Sequence, residues 1–430
     1  MTALAPETAI TDPGDRRYVD LDEEGARGDD GALIDRLLRN IDLLAPDASG
    51  CQLLTGFPGT GKTTELYRLR QRLETREEDP AAVVIIDADR MLDRHTPPTI
   101  TDLLRILAWE LDREATRREG GDANAAPGYA TRLWRWLQSD IELKNIGFGA
   151  FGANLAAEIR DNPSVREKVE RAVQLQFQQF AREARTVCED AVNRIRQVSG
   201  RRRVVVLVDG LEKFVSLSAG ADKAREMEAA VEALFCTHAE WLRLPAQMVY
   251  TFPMWLRFRR PDLGALYGAS PLTLPMVKIR RVDGTEHEPG IRRLAALITT
   301  RLPDGGALGA DPVARLRPAI LASGGYPRDL LRIVREAVLQ SQEFPVSEQV
   351  LARVIEQVRQ DYDRALLLAN LDVLVDIARN RRLPAGEDAL RACQRLFELA
   401  LVLTYHNAEE WVDVHPLVRR SARFSQLLGG

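Results

Sequence analysis

Eight residues, Gly56-Phe57-Pro58-Gly59-Thr60-Gly61-Lys62-Thr63, match the pattern GxxxxGK[ST] at every fixed position. Glycines at these places let successive backbone N–H groups wrap the α- and β-phosphates without Cβ clashes. The lysine neutralises β/γ charge, and the final hydroxyl is a Mg²⁺ ligand. The flanks fit the same chemistry: Gln52-Leu53-Leu54-Thr55 reads as a short apolar strand, and Thr64 to about Arg76 sets Leu66, Leu69 and Leu73 on one helical face. Strand, glycine loop and helix together lay a helix N-terminus against bound phosphate. Gly56, Pro58, Gly59, Thr60, Gly61, Lys62, Thr63 and Thr64 are therefore the expected phosphate contacts. A glycine turn with an incidental lysine, the plainer alternative, would not require these flanks.

At 430 residues the chain is long enough for two or three domains, each with its own core. A hydrophobic content of 45%, a charged content of 28% and a net charge of −4 describe an ordinary globular protein, with no global attraction to nucleic acid or anionic membrane. Cys51, Cys188, Cys236 and Cys393 stand far apart, without CxxC pairs or zinc-type histidine spacing, which argues for a reducing compartment. No apolar run reaches membrane-spanning length, and the first residues lack the basic start and apolar stretch of a signal peptide. The expectation is a cytoplasmic protein with a loose segment up to about Arg16.

Three further strands follow from continuous apolar runs. Ala82 to Asp87 is the second. Arg203 to Glu212 carries the third, whose β-branched run reads as the centre of a parallel sheet, with Asp209 at its C-terminal end, where open α/β sheets place ligands. Asp209 is the candidate to hold Mg²⁺ through water, and Glu212 the candidate general base. Gln247 to Thr251 is the fourth strand, ending in a hydroxyl that either senses the γ-phosphate or merely closes a strand. Leu272 to Ile279 is expected as the fifth. Beyond it, Gly324-Gly325-Tyr326-Pro327-Arg328-Asp329-Leu330 ends one helix and starts another, so Arg328 projects from a helix N-terminus, toward either the γ-phosphate or solvent.

This order of phosphate loop, Asp-ended strand, Thr-ended strand and Gly-x-Pro-Arg helix start resembles the AAA+ ATPases. The nearest likeness is to the origin-recognition and archaeal-ATPase branch and to the STAND signalling NTPases, the NACHT type included. The resemblance implies a five-stranded parallel P-loop NTPase sheet in the order 5-1-4-3-2, with a helical insertion, a helical lid and a C-terminal winged helix. It implies ATP or ADP with Mg²⁺, Lys62 on phosphate, Thr63 and Asp209 at the metal, Thr251 in the sensor 1 place and Arg328 in the sensor 2 place beside Pro327. Tyr18 and Val19 would pad the adenine. AAA+ proteins usually carry Glu directly after the Walker B Asp; here Gly210 follows and the next acid is Glu212, a spacing closer to the NACHT pattern. An arginine finger would fall near Arg257, Arg259 and Arg260, a cluster that reads equally as acid-paired surface.

The expected organisation is a flexible tail over 1–17, an ATPase core over 18–283 with a helical insertion at about 101–200, a lid over 284–365 and a winged helix over 366–430. Within the insertion, a Ser164-x-x-Glu167 capping box precedes a stripe of Val169, Val173, Phe177, Phe180, Ala184, Val187, Ala191, Ile195 and Val198. Its partner is a helix near Leu103 to Arg117 or one bearing Trp134 and Trp136. Gly147 to Ala153 alternates glycine with aromatic residues, as a docking loop, a membrane-inserting tip or a short hairpin. In the last segment, helices over Leu366–Arg379 and Glu387–Leu396 precede strands over Leu399–Tyr405 and Glu410–Val414. Arg391 and Arg395 lie on the second of these helices, whereas Glu409, Glu410 and Asp413 make the hairpin acidic, which favours packing over DNA reading. His406 and His415 read as turn and packing residues. The expected function is a nucleotide-controlled switch that self-associates in the ATP state and acts on a separate effector, in a setting such as a bacterial defence system. The alternative is a DNA-associated ATPase of the origin-recognition or transposition-helper type.

Overall fold

The computed structural model describes residues 2–6, 8–12, 14–28, 32–93, 96–122, 177–214, 221–302, 306–407 and 409–429. Trp134, Trp136, the Gly147–Ala153 segment, the Ser164/Glu167 capping box, Val169 and Val173 lie outside them. The sheet is built from β1 (Gly50–Gly56), β2 (Ala82–Asp87), β3 (Val204–Asp209), β4 (Gln247–Thr251) and β5 (Leu272–Leu274), all parallel, in the order β2-β3-β4-β1-β5. This is the order 5-1-4-3-2 read from the other edge. The two-residue period of a strand sorts β3 between two layers. Val205 and Leu207 join the core formed with α1 (Leu33–Asp42) and α2 (Lys62–Thr75). Val204, Val206 and Val208 join that of α3 (Ile100–Arg118) and α4 (Phe177–Ser199).

The pair α3 and α4 answers the question of the stripe's partner: Phe180, Ala184, Val187, Ala191 and Ile195 are buried with Leu103, Leu107 and Leu111. Arg194 clasps the pair by donating to Asp112 at 2.5 Å and to Glu119. Val198, expected on the same stripe, is 46% exposed, because the helix ends one residue later and the chain turns into β3. The fifth strand is shorter than the expected Leu272–Ile279. Past Leu274 the backbone leaves the sheet: Met276 N–H donates to Thr404 O, Val277 N–H to Gly325 O and Lys278 N–H to Ala26 O.

After α5 (Ala221–Glu232), α6 (Met254–Arg259) and α7 (Leu263–Tyr267), the chain becomes helical: α8 (Glu288–Thr299), α9 (Pro312–Ser323), α10 (Pro327–Gln340) and α11 (Glu348–Leu366). Asp311 caps α9 and Ser347 caps α11, each accepting from a backbone N–H three residues on. Two more helices follow, α12 (Leu371–Asn380) and α13 (Glu387–Glu398), then the antiparallel hairpin of β6 (Val402–His406) and β7 (Glu410–Val414), and short α14 (Pro416–Arg419) and α15 (Ala422–Gly429). Two element starts in this segment differ from expectation. Leu366 closes α11, and the next helix starts at Leu371 under an Asn370 cap. Leu399 closes α13, so the strand begins at Val402.

One apolar core joins these C-terminal elements to α8–α11 and to Leu4, Leu21 and Phe57. Leu4, within the tail expected over 1–17, is 1% exposed in that core. Phe397 of α13 meets Phe57 edge-on at 5.8 Å and stacks on Phe258 at 5.0 Å. Tyr405 OH donates to Gly324 O at 2.6 Å. Removing the Phe397 ring deprives both neighbours of an aromatic partner. Phe397→Ala is expected to cost about 3–5 kcal/mol in urea unfolding, whereas truncating half-exposed Leu427 should stay within about 0.5 kcal/mol.

Candidate functional site

β1 ends at Gly56 and α2 starts at Lys62, so the loop between them is held at the C-terminal edge of the sheet, between β4 and β5. Its conformation is over-determined. Thr60 Oγ1 donates to Phe57 O at 2.8 Å, and Tyr326 OH donates to Pro58 O. The buried guanidinium of Arg27 donates to Thr60 O at 2.7 Å and to Glu65 Oε1 at 3.3 Å. Gly59 has φ +83°, and a Cβ there would stand 2.8 Å from the Arg328 side chain, which lies directly against the loop. Lys62 Nζ donates to Gly56 O and Phe57 O, both at 2.9 Å, and is 3.2 Å from Glu212 Oε1.

The acids come from the end of β3 and the turn after it. Thr63 Oγ1 donates to Asp209 Oδ2 at 2.5 Å. Burial, and then the negative Glu212 beside it, push the Asp209 carboxyl up to about 6. Burial also works against charge on Glu212, but the Lys62 ammonium and a Thr251 hydrogen bond outweigh it and hold that carboxyl below its ordinary value. Asp209 Oδ1 and Glu212 Oε2 are buried without a hydrogen-bond partner among the described residues. A hydroxyl, a buried carboxylate with a spare oxygen and a neighbouring phosphate cradle fit Mg²⁺, which keeps several waters and takes few protein ligands. Thr63 and Asp209 are the residues that would hold it.

Gly210 explains the displaced second acid. Its φ is +91°, and a Cβ on it would fall 2.6 Å from Asp89 Cβ and 2.9 Å from Asp89 N. The turn after β2 fills the space that a side chain directly after Asp209 would need. The next outlet for a carboxylate is Glu212, in the 3₁₀ turn Leu211–Lys213. Lys213 fastens that turn by donating to Asp89 Oδ2 at 2.8 Å. Thr251, expected in the sensor 1 place, has a fully buried hydroxyl that accepts from Leu211 N–H at 3.2 Å; like Asp209, it lies behind the residues that line the cavity. The hydroxyl is used in holding the Gly210–Glu212 turn.

Above the loop lies a cavity of about 770 Å³, large enough for a nucleotide. Gly56 to Thr64, Glu212, Pro327 and Arg328 line it, and so do Tyr18 and Val19. The Tyr18 phenol is bonded to Arg68, whose guanidinium lies 5.2 Å over the ring. Arg257, Arg259 and Arg260 do not line it. They are paired within the chain: Arg257 with Glu410 at 2.6 Å, Arg259 with Glu228 at 3.0 Å and Arg260 with Glu232 at 2.9 Å. The acid-paired reading of that cluster holds for these contacts. Sequence reasoning missed Arg27, Glu65, Phe397, Glu398 and the residues around Ile10, all of which line the cavity. No motif in the sequence marks them.

This is a P-loop NTPase fold. The strand order and the loop at the end of β1, an interior strand, establish it. No protein-family model matches the chain, and no curated protein matches it. Among solved structures it is similar to a Walker-type ATPase of Pyrococcus abyssi, at 15% identity over 97% of this chain and 99% of that one, with a TM-score of 0.42. It is similar to the ORC2 protein of Aeropyrum pernix in ADPNP–ADP complexes, at 13% identity over 95% of each chain and a TM-score of 0.41. The Drosophila ORC bound to DNA aligns at 15% identity over 99% of this chain and 90% of that one, with a TM-score of 0.36.

Two substitutions test the geometry without any ligand. Gly210→Ala combines a left-handed φ with a collision against Asp89 backbone and is expected to cost roughly 2–4 kcal/mol in chemical denaturation. Asp209→Asn should do the opposite near neutral pH. The native carboxyl titrates above its unfolded value of 3.8, so its protonated form is favoured by folding; that contribution is complete below pH 3.8 and is lost as pH rises through about 6. Asparagine mimics the protonated state, so the variant should gain roughly 1–3 kcal/mol at pH 8 and nothing near pH 4, read from urea midpoints across pH.

Proposed function

We propose that this chain is an ATP-binding, slowly hydrolysing regulatory switch whose nucleotide state is passed to its C-terminal segments and to a separate partner protein. The observation that carries the reading is the position of Phe57. It belongs to the phosphate loop, yet its ring packs against Tyr326 at the start of α10 and Phe397 at the end of α13. A change in the loop is therefore felt at once by the segment 284–365, read as a lid, and by the segment 366–430, read as a winged helix.

In this reading Lys62 and the loop amides hold the phosphates, with the base toward Tyr18 and Val19. Thr63 and Asp209 would hold Mg²⁺, which would supply neutralisation of phosphate charge. Glu212 orients a water and takes its proton as the water oxygen bonds to the γ-phosphorus and the bond to the β-phosphate oxygen breaks; ADP and phosphate are the products. Arg328, lying against Gly59, is the residue to meet the γ-phosphate. Slow turnover follows from the Lys62–Glu212 pair: a carboxylate held below its ordinary pKa is a weak proton acceptor until the lysine moves to phosphate. Resemblance to STAND NTPases supports the further steps, in which ATP favours self-association, a separate effector reads the assembled state, and the setting is a bacterial conflict system.

The DNA-associated alternative would use the hairpin and its helices. Here Glu410 is paired with Arg257, and Asp413 with Arg419 and Arg381, so these two hairpin acids are bound within the chain while Glu409 stays exposed. That supports packing and nucleotide control over duplex reading. Among the described residues no helix is long and apolar enough to cross a membrane.

Light scattering with ADP, with ATP, and with ATP on Glu212→Gln tests the switch. The expected result is a rise in mass only where ATP is retained. An unchanged monomer throughout would overturn self-association, and salt-dependent duplex binding would then favour the alternative. Lys62→Ala should abolish nucleotide binding, while Glu212→Gln should keep it and lower kcat by about a hundredfold or more.

A further inference from the structure

The first residues of the chain have the composition of a loose tail, yet they are tied to three different elements. Leu4 is buried in the core of the helical segment. Ile10, 7% exposed, donates its backbone N–H to Thr64 Oγ1 of α2 at 3.1 Å. Arg17 O accepts from Arg301 Nη1, just past α8, at 2.8 Å. Between the first two ties, Pro6, Thr8, Ala9 and Ile10 line the same cavity as the phosphate loop. Ordering such a stretch costs about 1–2 kcal/mol per residue in backbone entropy, so a segment held at several points marks a built wall rather than an idle end.

Resting on the nucleotide reading above, we infer that residues 4–6 and 8–10 are part of the nucleotide site: an apolar wall for the base, and a strap that sets how fast nucleotide leaves. Pro6, Ala9 and Ile10 offer the apolar surface that a planar base needs. The Ile10 amide also fixes the Thr64 hydroxyl. With one lone pair of Oγ1 taken by that N–H, the hydroxyl keeps its own proton to donate, and Thr64 lines the cavity. Ile10 is thus a positioning residue acting through Thr64. Leu4 is fixed to the helical segment and Ile10 to α2, so the stretch between them bridges two bodies that flank the cavity, and loss of either tie frees that wall.

The test is the release of fluorescent N-methylanthraniloyl-ADP from the full chain, chased with excess ADP in stopped flow. Leu4→Ala removes one tie, Ile10→Pro removes the donated N–H, and Leu4→Met is the conservative control. Both disrupting variants should speed release by about tenfold or more with association changed by less than about threefold, and Leu4→Met should restore slow release. Release within about twofold of the unmodified protein in both variants, with urea unfolding lowered or not, would overturn the strap. Failure of the unmodified protein to bind the labelled ADP would instead overturn the nucleotide reading itself.

Discussion

One ammonium group sets the charge balance at the centre of the molecule. Lys62 faces two carboxylates at the end of β3 and the turn beyond it, at a point where burial disfavours both. By pairing with Glu212 it leaves that acid ionised while Asp209 carries the cost of the shared site. The lysine also bonds the carbonyls of Gly56 and Phe57, so the same group that balances the acids fixes the path of the loop. Loop shape and charge state are in this way one variable.

That variable reaches far because the loop is not a surface feature. Phe57 is 1% exposed and sits in a core shared with the helical segment and the hairpin. Below it, the C-terminal elements are joined to the rest by polar ties of a different kind. His415 is fully buried, stacked on Tyr362 at 4.2 Å, and its Nδ1 accepts from Leu417 N–H. Its Nε2 lies 3.3 Å from the Asp329 carboxylate, which also accepts from Tyr362 OH at 2.7 Å. Asp329 follows Arg328 in the first turn of α10. The residue lying against the loop is thus flanked in sequence by one anchored to the histidine that follows the hairpin.

What the sequence disclosed is what local chemistry encodes. The glycine loop, the apolar strands and the Asp-ended β3 each follow from short-range rules, and so does the strand–loop–helix unit around Lys62. The hairpin limits were legible at Glu410–Val414 because turn residues bound that run. Legibility failed where long-range contacts decide. β5 stops at Leu274 because Pro275 has no N–H to donate, and Thr404, Gly325 and Ala26, distant in sequence, then claim the amides of Met276, Val277 and Lys278. Leu4 and Ile10 sit in a run of Ala, Thr, Pro and Asp that reads as a tail, and only tertiary packing reveals their ties. Thr251 was legible as a strand-end hydroxyl, but its use beneath the Glu212 turn depends on a neighbouring strand's exit.

The Gly210 turn has a mechanical meaning as well as a steric one. A carboxylate on the strand itself would be as rigid as the sheet. Here it hangs from a short turn pinned on one side by Thr251 and on the other by the Asp89–Lys213 pair. Asp89 belongs to the stretch that leaves β2 and leads into α3, the entrance to the long crossover. A displacement of that entrance pulls on Lys213, and Lys213 is the residue next to Glu212. The crossover therefore reaches the acid through Lys213, while the sheet holds the other side of the turn through Thr251.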